Sequence, residues 1–170
     1  MGISQYLKVI GRGKVGARNV PRGQATDLMG QVLDGTASDL EVGAFCIAMR
    51  IKGETPEEMA GFLDAVHERL EMLPASARPL VVLPSYNGAR KLPVLTPLLA
   101  LLLARNGLPV LVHGTATEDR RVSSQDVLAA LDIAPMQALD EIEPGHVAFA
   151  PTALLLPGLE RLLDVRRTLG

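Results

Sequence analysis

The sequence predicts a mixed α/β protein in which an all-helical N-terminal domain precedes the start of a parallel-sheet α/β domain. In the first part, apolar residues recur at helical spacing. From Leu80 onward, short continuous apolar runs alternate with helical patterns, as in α/β domains. We expect a helical domain over residues 1–74, a linker over 75–79 and an incomplete α/β domain over 80–170. With 170 residues, 48% of them hydrophobic, the chain is neither disordered nor fibrous.

The first two helices are predicted from apolar residues that share one helical face. In the first helix these residues run from Ile3 to Ile10, and the glycines on either side of Arg12 end it. The stretch up to Val20 has the composition of a loop. The second helix runs to Leu33, and Gly35 ends it because glycine readily adopts the left-handed backbone conformation after a helix.

Capping boxes open the next two helices. Ser38 is followed three residues later by Glu41, and Thr55 by Glu58, which predicts a helix start at each serine or threonine. The third helix is apolar nearly all round, which is typical of a central or interfacial helix. Pro74 is expected to close the fourth helix.

The second part repeats a strand, loop and helix order. A parallel sheet follows from this order, because its strands need crossover connections. Three strands would leave apolar edges unpaired, so the sheet is either part of a longer protein or completed by a partner segment. The predicted strands are 80–83, 109–112 and 147–150. Two helices are predicted over residues 96–105 and 158–169, and a third begins after Ser123, its cap, with Asp126 at the third helical position.

The charges are segregated along the chain. Five bases and no acid lie in residues 1–25, whereas residues 26–83 carry ten acids against four bases. A basic run of this kind is either ordinary solvated surface or an anion site. As an anion site it would contact a nucleic-acid backbone. The five bases are Lys8, Arg12, Lys14, Arg18 and Arg22.

A second basic region falls in the two loops at the carboxyl ends of the first two strands, residues 84–91 and 113–122. Ligands of open parallel sheets bind beyond these strand ends. Basic side chains there, and hydroxyls at a helix start, favour phosphate, although surface charge explains them equally. The candidates are Arg90, Lys91, Arg120, Arg121, Ser123 and Ser124.

Several classes are excluded by composition. The net charge of −2 argues against a uniformly basic nucleic-acid protein, and 3% aromatic residues argue against an aromatic platform for single strands. The longest apolar stretch, residues 92–104, is too short to span a bilayer. With one cysteine, Cys46, and no N-terminal apolar region, we expect a cytoplasmic protein without a membrane anchor. Acidic clusters with metal-ligand spacing are absent, so no metal site is predicted.

The stretch DGTASDLEVGAFCIAMRIKGETPEEMAGF resembles the N-terminal helical domain of the nucleoside phosphorylase and anthranilate phosphoribosyltransferase family, known as glycosyltransferase family 3. The second strand ends in His113-Gly114, where the family has a lysine-histidine-glycine motif. The RVSS sequence that ends at Ser124 resembles the family's serine-rich loop. The resemblance implies that the chain corresponds to about half of a family member, with the family's metal-binding acidic pair beyond Gly170.

The chain departs from this family where the donor PRPP (phosphoribosyl pyrophosphate) would bind. The family's glycine-rich loop closes on pyrophosphate with backbone N–H groups, but here the loop reads PSYNGARK and retains only Gly88. Tyr86 occupies space that a diphosphate would need. Val112 replaces the motif lysine, and Thr115 replaces the asparagine that follows. Because PRPP chemistry depends on positioning and charge, we expect no catalytic residues here.

The loop string also resembles the YbiB-type branch of TrpD-like proteins. That resemblance implies nucleic-acid binding and a homodimer formed through the N-terminal helices. We therefore predict a phosphoribosyltransferase-like protein that binds nucleic-acid phosphates without sequence specificity and without a cofactor. To the loop candidates above, the resemblance adds Ser85, Tyr86, Asn87, Gly88, His113, Gly114 and Thr115.

Two other functions remain open at this point. The chain could be an active anthranilate phosphoribosyltransferase, which would transfer phosphoribosyl from PRPP to anthranilate with magnesium in tryptophan biosynthesis. It could also bind a nucleotide in a cleft between its two domains. The sequence does not distinguish DNA from RNA.

Overall fold

A computed structural model describes residues 2–75, 79–85, 93–116 and 122–169 of the chain. Contacts divide it into two units, one formed by residues 1–70 with 156–170 and the other by residues 71–155. The first unit is helical, and the second contains a three-stranded parallel sheet. The predicted fold class is therefore confirmed.

The helical unit is built from six helices in the described residues. Helix α2 is a short helix within the segment predicted as a loop. The helices are α1 (Ser4–Ile10), α2 (Gly13–Gly16), α3 (Arg22–Leu33), α4 (Asp39–Lys52), α5 (Pro56–His67) and α9 (Pro157–Leu169).

Both predicted capping boxes of this unit are present. Ser38 caps α4 and Thr55 caps α5. In each box the glutamate carboxylate, from Glu41 or Glu58, accepts a hydrogen bond from the backbone N–H of the capping residue. Gly35 follows α3 with a φ of 72°, in the left-handed region that favours glycine. Helix α5 ends at His67, well before the predicted stop at Pro74.

The core of the helical unit is apolar and continuous. Phe45 of α4 and Phe62 of α5 meet edge to face with their ring centroids 5.9 Å apart, a favoured geometry for two aromatic rings. Leu28 and Ala25 of α3 are fully buried beside them in the same cluster.

Helix α9 packs within the helical unit, although the sequence placed it in the α/β domain. Leu159 and Leu162 pack against the helical core, and Arg161 donates a hydrogen bond to the carbonyl of Leu33, at 2.8 Å. A Cβ at Gly158 would overlap the same Leu33 carbonyl, so the two backbones approach closely. These long-range contacts decide where α9 lies, and its own sequence periodicity does not reveal them.

The second unit has the strand order β1-β2-β3, all parallel. Helices α6 and α7 pack against the sheet, and Val110, Val112, Leu128 and Phe149 form its core. The predicted linker 75–79 falls partly outside the described residues. The elements are β1 (Val81–Pro84), α6 (Thr96–Arg105), β2 (Val110–Gly114), α7 (Ser124–Ala129), β3 (Val147–Pro151) and α8 (Thr152–Leu155).

The helical unit also contains a buried ion pair. Lys52 Nζ lies 2.6 Å from Glu58 Oε2, and both side chains are almost completely buried. Burial alone would raise the pKa of the Glu58 carboxyl, but hydrogen bonds from Lys52, Val20 and Thr55 outweigh it and hold the pKa below its ordinary value.

We expect Glu58→Gln to lower the free energy of unfolding by about 3 kcal/mol, because it leaves the Lys52 ammonium buried without its counter-charge. In the wild type, the lowered pKa stabilises the fold above the ordinary value of 4.5, and that contribution is lost as the pH falls through the folded pKa. Urea unfolding between pH 7 and pH 3 measures both effects. The exposed Glu57→Gln is the control, and equal losses from the two variants would contradict this account.

Candidate functional site

The carboxyl edge of the sheet collects hydroxyl side chains. Ser85 follows β1, Thr115 follows β2 and Thr152 follows β3. The registers Pro84↔His113↔Ala150 and Gly114↔Pro151 place the three strand ends side by side. The structure thus brings together predicted candidates from two separate loops.

The end of β1 is tied to the neighbouring segments. The Ser85 N–H donates to the carbonyl of His113 at 2.7 Å, which extends the sheet ladder by one residue. The hydroxyl of Ser85 is hydrogen-bonded to that of Ser124. A Cβ at Gly114 would overlap the Ser85 carbonyl oxygen, so this approach of two backbones requires glycine at position 114.

Ser123 has a structural role at this edge. It caps the six-residue helix α7, and its hydroxyl and backbone N–H both bond to Asp126, at 2.8 Å from Oδ2. These bonds from the Ser123 backbone and hydroxyl lower the pKa of Asp126. The predicted cap is confirmed, and it engages Ser123 in the fold whether or not a ligand binds.

His113 is half-buried at the end of β2. Burial lowers its pKa, so the imidazole is neutral near neutral pH and does not add a cation to the site. Thr115 is buried beside it in the chain.

Thr152 is a site residue that the sequence-based candidates did not include. Its side chain is buried, and its hydroxyl oxygen has no hydrogen-bond partner among the described residues. An unpaired buried hydroxyl is costly. This one lies at the carboxyl edge of the sheet, where open parallel sheets bind their ligands, so Thr152 is a candidate ligand-binding residue. The sequence offered one signal for it, a hydroxyl residue two positions after the third predicted strand.

The remaining loop candidates lie outside the described residues. They are Tyr86, Asn87, Gly88, Arg90, Lys91, Arg120 and Arg121. In the ranges that the structure does describe, there is no group of three His, Cys, Asp or Glu side chains that could hold a metal ion. Nor do these ranges contain a helix with the length and apolar character needed to cross a membrane.

The N-terminal bases form a second candidate site, within the helical unit. We call Lys8, Arg12, Lys14, Arg18 and Arg22 the basic segment, and all five are exposed. The Arg18 N–H donates to the Val9 carbonyl at 3.1 Å, which turns the chain back onto α1 after α2. Arg12 Nε donates to the Lys8 carbonyl at 2.8 Å.

The basic segment is anchored by a buried contact. Val20 is buried, and its N–H donates to Glu58 Oε1 at 3.0 Å. Arg22, by contrast, forms a bidentate pair with Asp64, with both N···O distances at 2.6 Å. Among the residues that the structure describes, no acidic side chain pairs with Lys8, Lys14 or Arg18.

Comparison with known proteins shows what the chain is similar to. Residues 4–70 match the helical bundle domain of the glycosyl transferase family. The fold of the chain matches anthranilate phosphoribosyltransferase from Thermus thermophilus with a TM-score of 0.77 at 24% identity, over 97% of this chain and 50% of that one. Residues 4–70 therefore belong to this helical bundle domain, and the chain as a whole is similar in fold to half of that phosphoribosyltransferase.

Two curated relatives show how much of a longer protein the chain corresponds to. The YbiB protein of Escherichia coli K12 is 39% identical over all of this chain and 55% of its own length. Anthranilate phosphoribosyltransferase from Leifsonia xyli is 33% identical over 84% of this chain and 42% of its own. The chain spans about half the length of the curated relatives that it matches, and the predicted resemblance to their family is confirmed.

Proposed function

We propose that this chain is a phosphoribosyltransferase-like protein that has lost the PRPP-binding glycine loop and binds nucleic acid through its phosphates without sequence specificity. The observation that carries the proposal is the basic segment, in which Lys8, Lys14 and Arg18 are exposed without an acidic partner among the described residues. Clustered bases of this kind attract a phosphate backbone irrespective of base sequence.

The sheet edge supports the first half of the proposal. A pyrophosphate loop needs free backbone N–H groups, but the Ser85 N–H is already bonded to His113. Its hydroxyl is engaged with Ser124. The sequence after Ser85 has one glycine where the family has a glycine-rich loop.

We also propose a cytoplasmic homodimer, formed through the helical unit. Ile47 and Ile51 of α4 and Met59 and Leu63 of α5 are exposed, with 39–50% of each surface accessible. An adjoining groove of about 380 Å³ has an apolar lining that includes Phe45, Leu162 and Leu169. Exposed apolar patches of this kind mark interaction sites.

The single cysteine, Cys46, suits a reducing compartment such as the cytoplasm.

For nucleic-acid binding, we expect affinity for duplex DNA to fall about 40-fold between 50 and 200 mM salt, the loss for roughly three phosphate contacts. Lys14→Gln and Arg18→Gln should each weaken binding equally on unrelated sequences and reduce the salt slope by about one contact. Fluorescence anisotropy measures these changes. Arg105→Gln, at an exposed base of the other unit, is the control. Affinity that does not depend on salt would refute the proposal, and parallel titrations with RNA show which nucleic acid binds more tightly.

For the dimer, we expect Ile51→Glu to shift the purified chain from dimer to monomer, because the exposed apolar face would then have to bury a charge. Sedimentation velocity over a concentration series measures the mass. Leu40→Glu is the matched control, since Leu40 lies at the opposite end of the same helix from Ile51, with 84% of its surface exposed. A wild-type chain that is monomeric at high concentration contradicts the proposal.

The family match favours one alternative, an active anthranilate phosphoribosyltransferase. Relatives bearing that name match 84–99% of this chain at 30–33% identity. This alternative requires magnesium, and it predicts that PRPP and anthranilate are consumed by the full-length protein. A fluorescence assay that follows anthranilate tests it, and the absence of turnover with magnesium present would eliminate it.

A further inference from the structure

Arg22 differs from the other bases of the basic segment. Its guanidinium faces both carboxylate oxygens of Asp64, the geometry that makes arginine–carboxylate pairs specific. Lys8, Lys14 and Arg18 form no such pair among the described residues. Arg22 is therefore the member of the basic segment whose charge is paired with a carboxylate among the described residues.

The backbone holds Arg22 beside helix α5. A Cβ at Gly61 would overlap the Arg22 carbonyl oxygen, so the first turn of α3 packs closely on α5, which also carries Asp64. Arg22 is the first residue of α3, where the positive end of the helix dipole disfavours a cation. The carboxylate of Asp64 offsets that repulsion, and the two charged groups stabilise each other.

We propose that Asp64 is an autoinhibitory residue that withholds Arg22 from nucleic-acid phosphates. This inference rests on the proposed nucleic-acid binding and specifies which bases perform it: Lys8, Lys14 and Arg18 contact phosphates, and Arg22 does not. Asp64 acts by occupying the guanidinium donors of Arg22 that would otherwise bind a phosphate. Any change that neutralises Asp64 releases a further cation to the surface.

Within the described part of the chain, the charged groups that act on Asp64 are Arg22 and His67. Hydrogen bonds from Arg22, and to a lesser degree the charge of His67, lower the pKa of Asp64. Asp64 therefore stays ionised at neutral pH, and neutralising it requires a substitution. Because the pair is at the surface, with a third of the Asp64 side chain exposed, Asp64→Asn is an isosteric change that leaves the core intact.

A double-mutant cycle tests the proposal on the whole chain. Wild type, Asp64→Asn, Arg22→Gln and the double variant are titrated with a labelled duplex DNA of mixed sequence over a range of salt concentrations. We expect Asp64→Asn to bind about 5-fold more tightly at moderate salt and to steepen the salt slope by about one contact. Arg22→Gln alone should change affinity less than twofold, and in the double variant the gain from Asp64→Asn should be lost. Asp64→Ser should reproduce that gain.

Asp34→Asn is the matched control. Asp34 forms another bidentate pair in the helical unit, with Arg69 at 2.7 and 2.9 Å, and its removal changes the net charge by the same amount. An equal gain from Asp34→Asn would overturn the autoinhibitory role and leave nucleic-acid binding intact. A loss from Arg22→Gln as large as that from Lys14→Gln would overturn it as well. If neither wild type nor Asp64→Asn binds at low salt, both the proposed function and this inference fail.

Discussion

The buried carboxylate of Glu58 is the interaction on which the arrangement of the helical unit depends. It accepts hydrogen bonds from the Thr55 cap, from the Val20 backbone and from Lys52. One side chain therefore starts helix α5, neutralises a buried ammonium and holds the chain that leads from α2 into α3. An ionised carboxylate survives in such a place only because every one of these partners is present.

This network connects the core to the surface that is proposed to bind nucleic acid. The stretch from Arg12 to Arg22, which carries four bases of the basic segment, contributes only Val20 to the core, and α2 contributes none. Its position instead follows from two anchors, the Arg18 backbone bond to Val9 and the Val20 bond to Glu58. Flexible lysines and arginines can then present their charges from a fixed backbone, which reduces the ordering cost when they meet a phosphate chain.

The parts of the fold that were predictable from sequence are those governed by local rules. Ser38, Thr55 and Ser123 each indicate a helix start within three residues, and the structure shows a capping box at each. Glu58 is recognisable from sequence as a cap partner, but not as the partner of Lys52 and Val20, because these contacts depend on the packed fold. The same limit applies to α9, whose amphipathic pattern is equally compatible with either unit.

The candidate sites also divide into what local sequence predicts and what only the packed fold determines. For the basic segment, the feature that the fold determines is which charges are paired. In the sequence the five bases at the N-terminus are equivalent, since a count of charges carries no information about partners. In the fold, Asp64, which lies 42 residues after Arg22, engages one of the five. At the sheet edge, Thr152 follows the third strand and becomes relevant only because the register places the end of β3 beside the ends of β1 and β2. Composition thus locates a charged surface, whereas the tertiary fold determines which of its charges are available to a ligand.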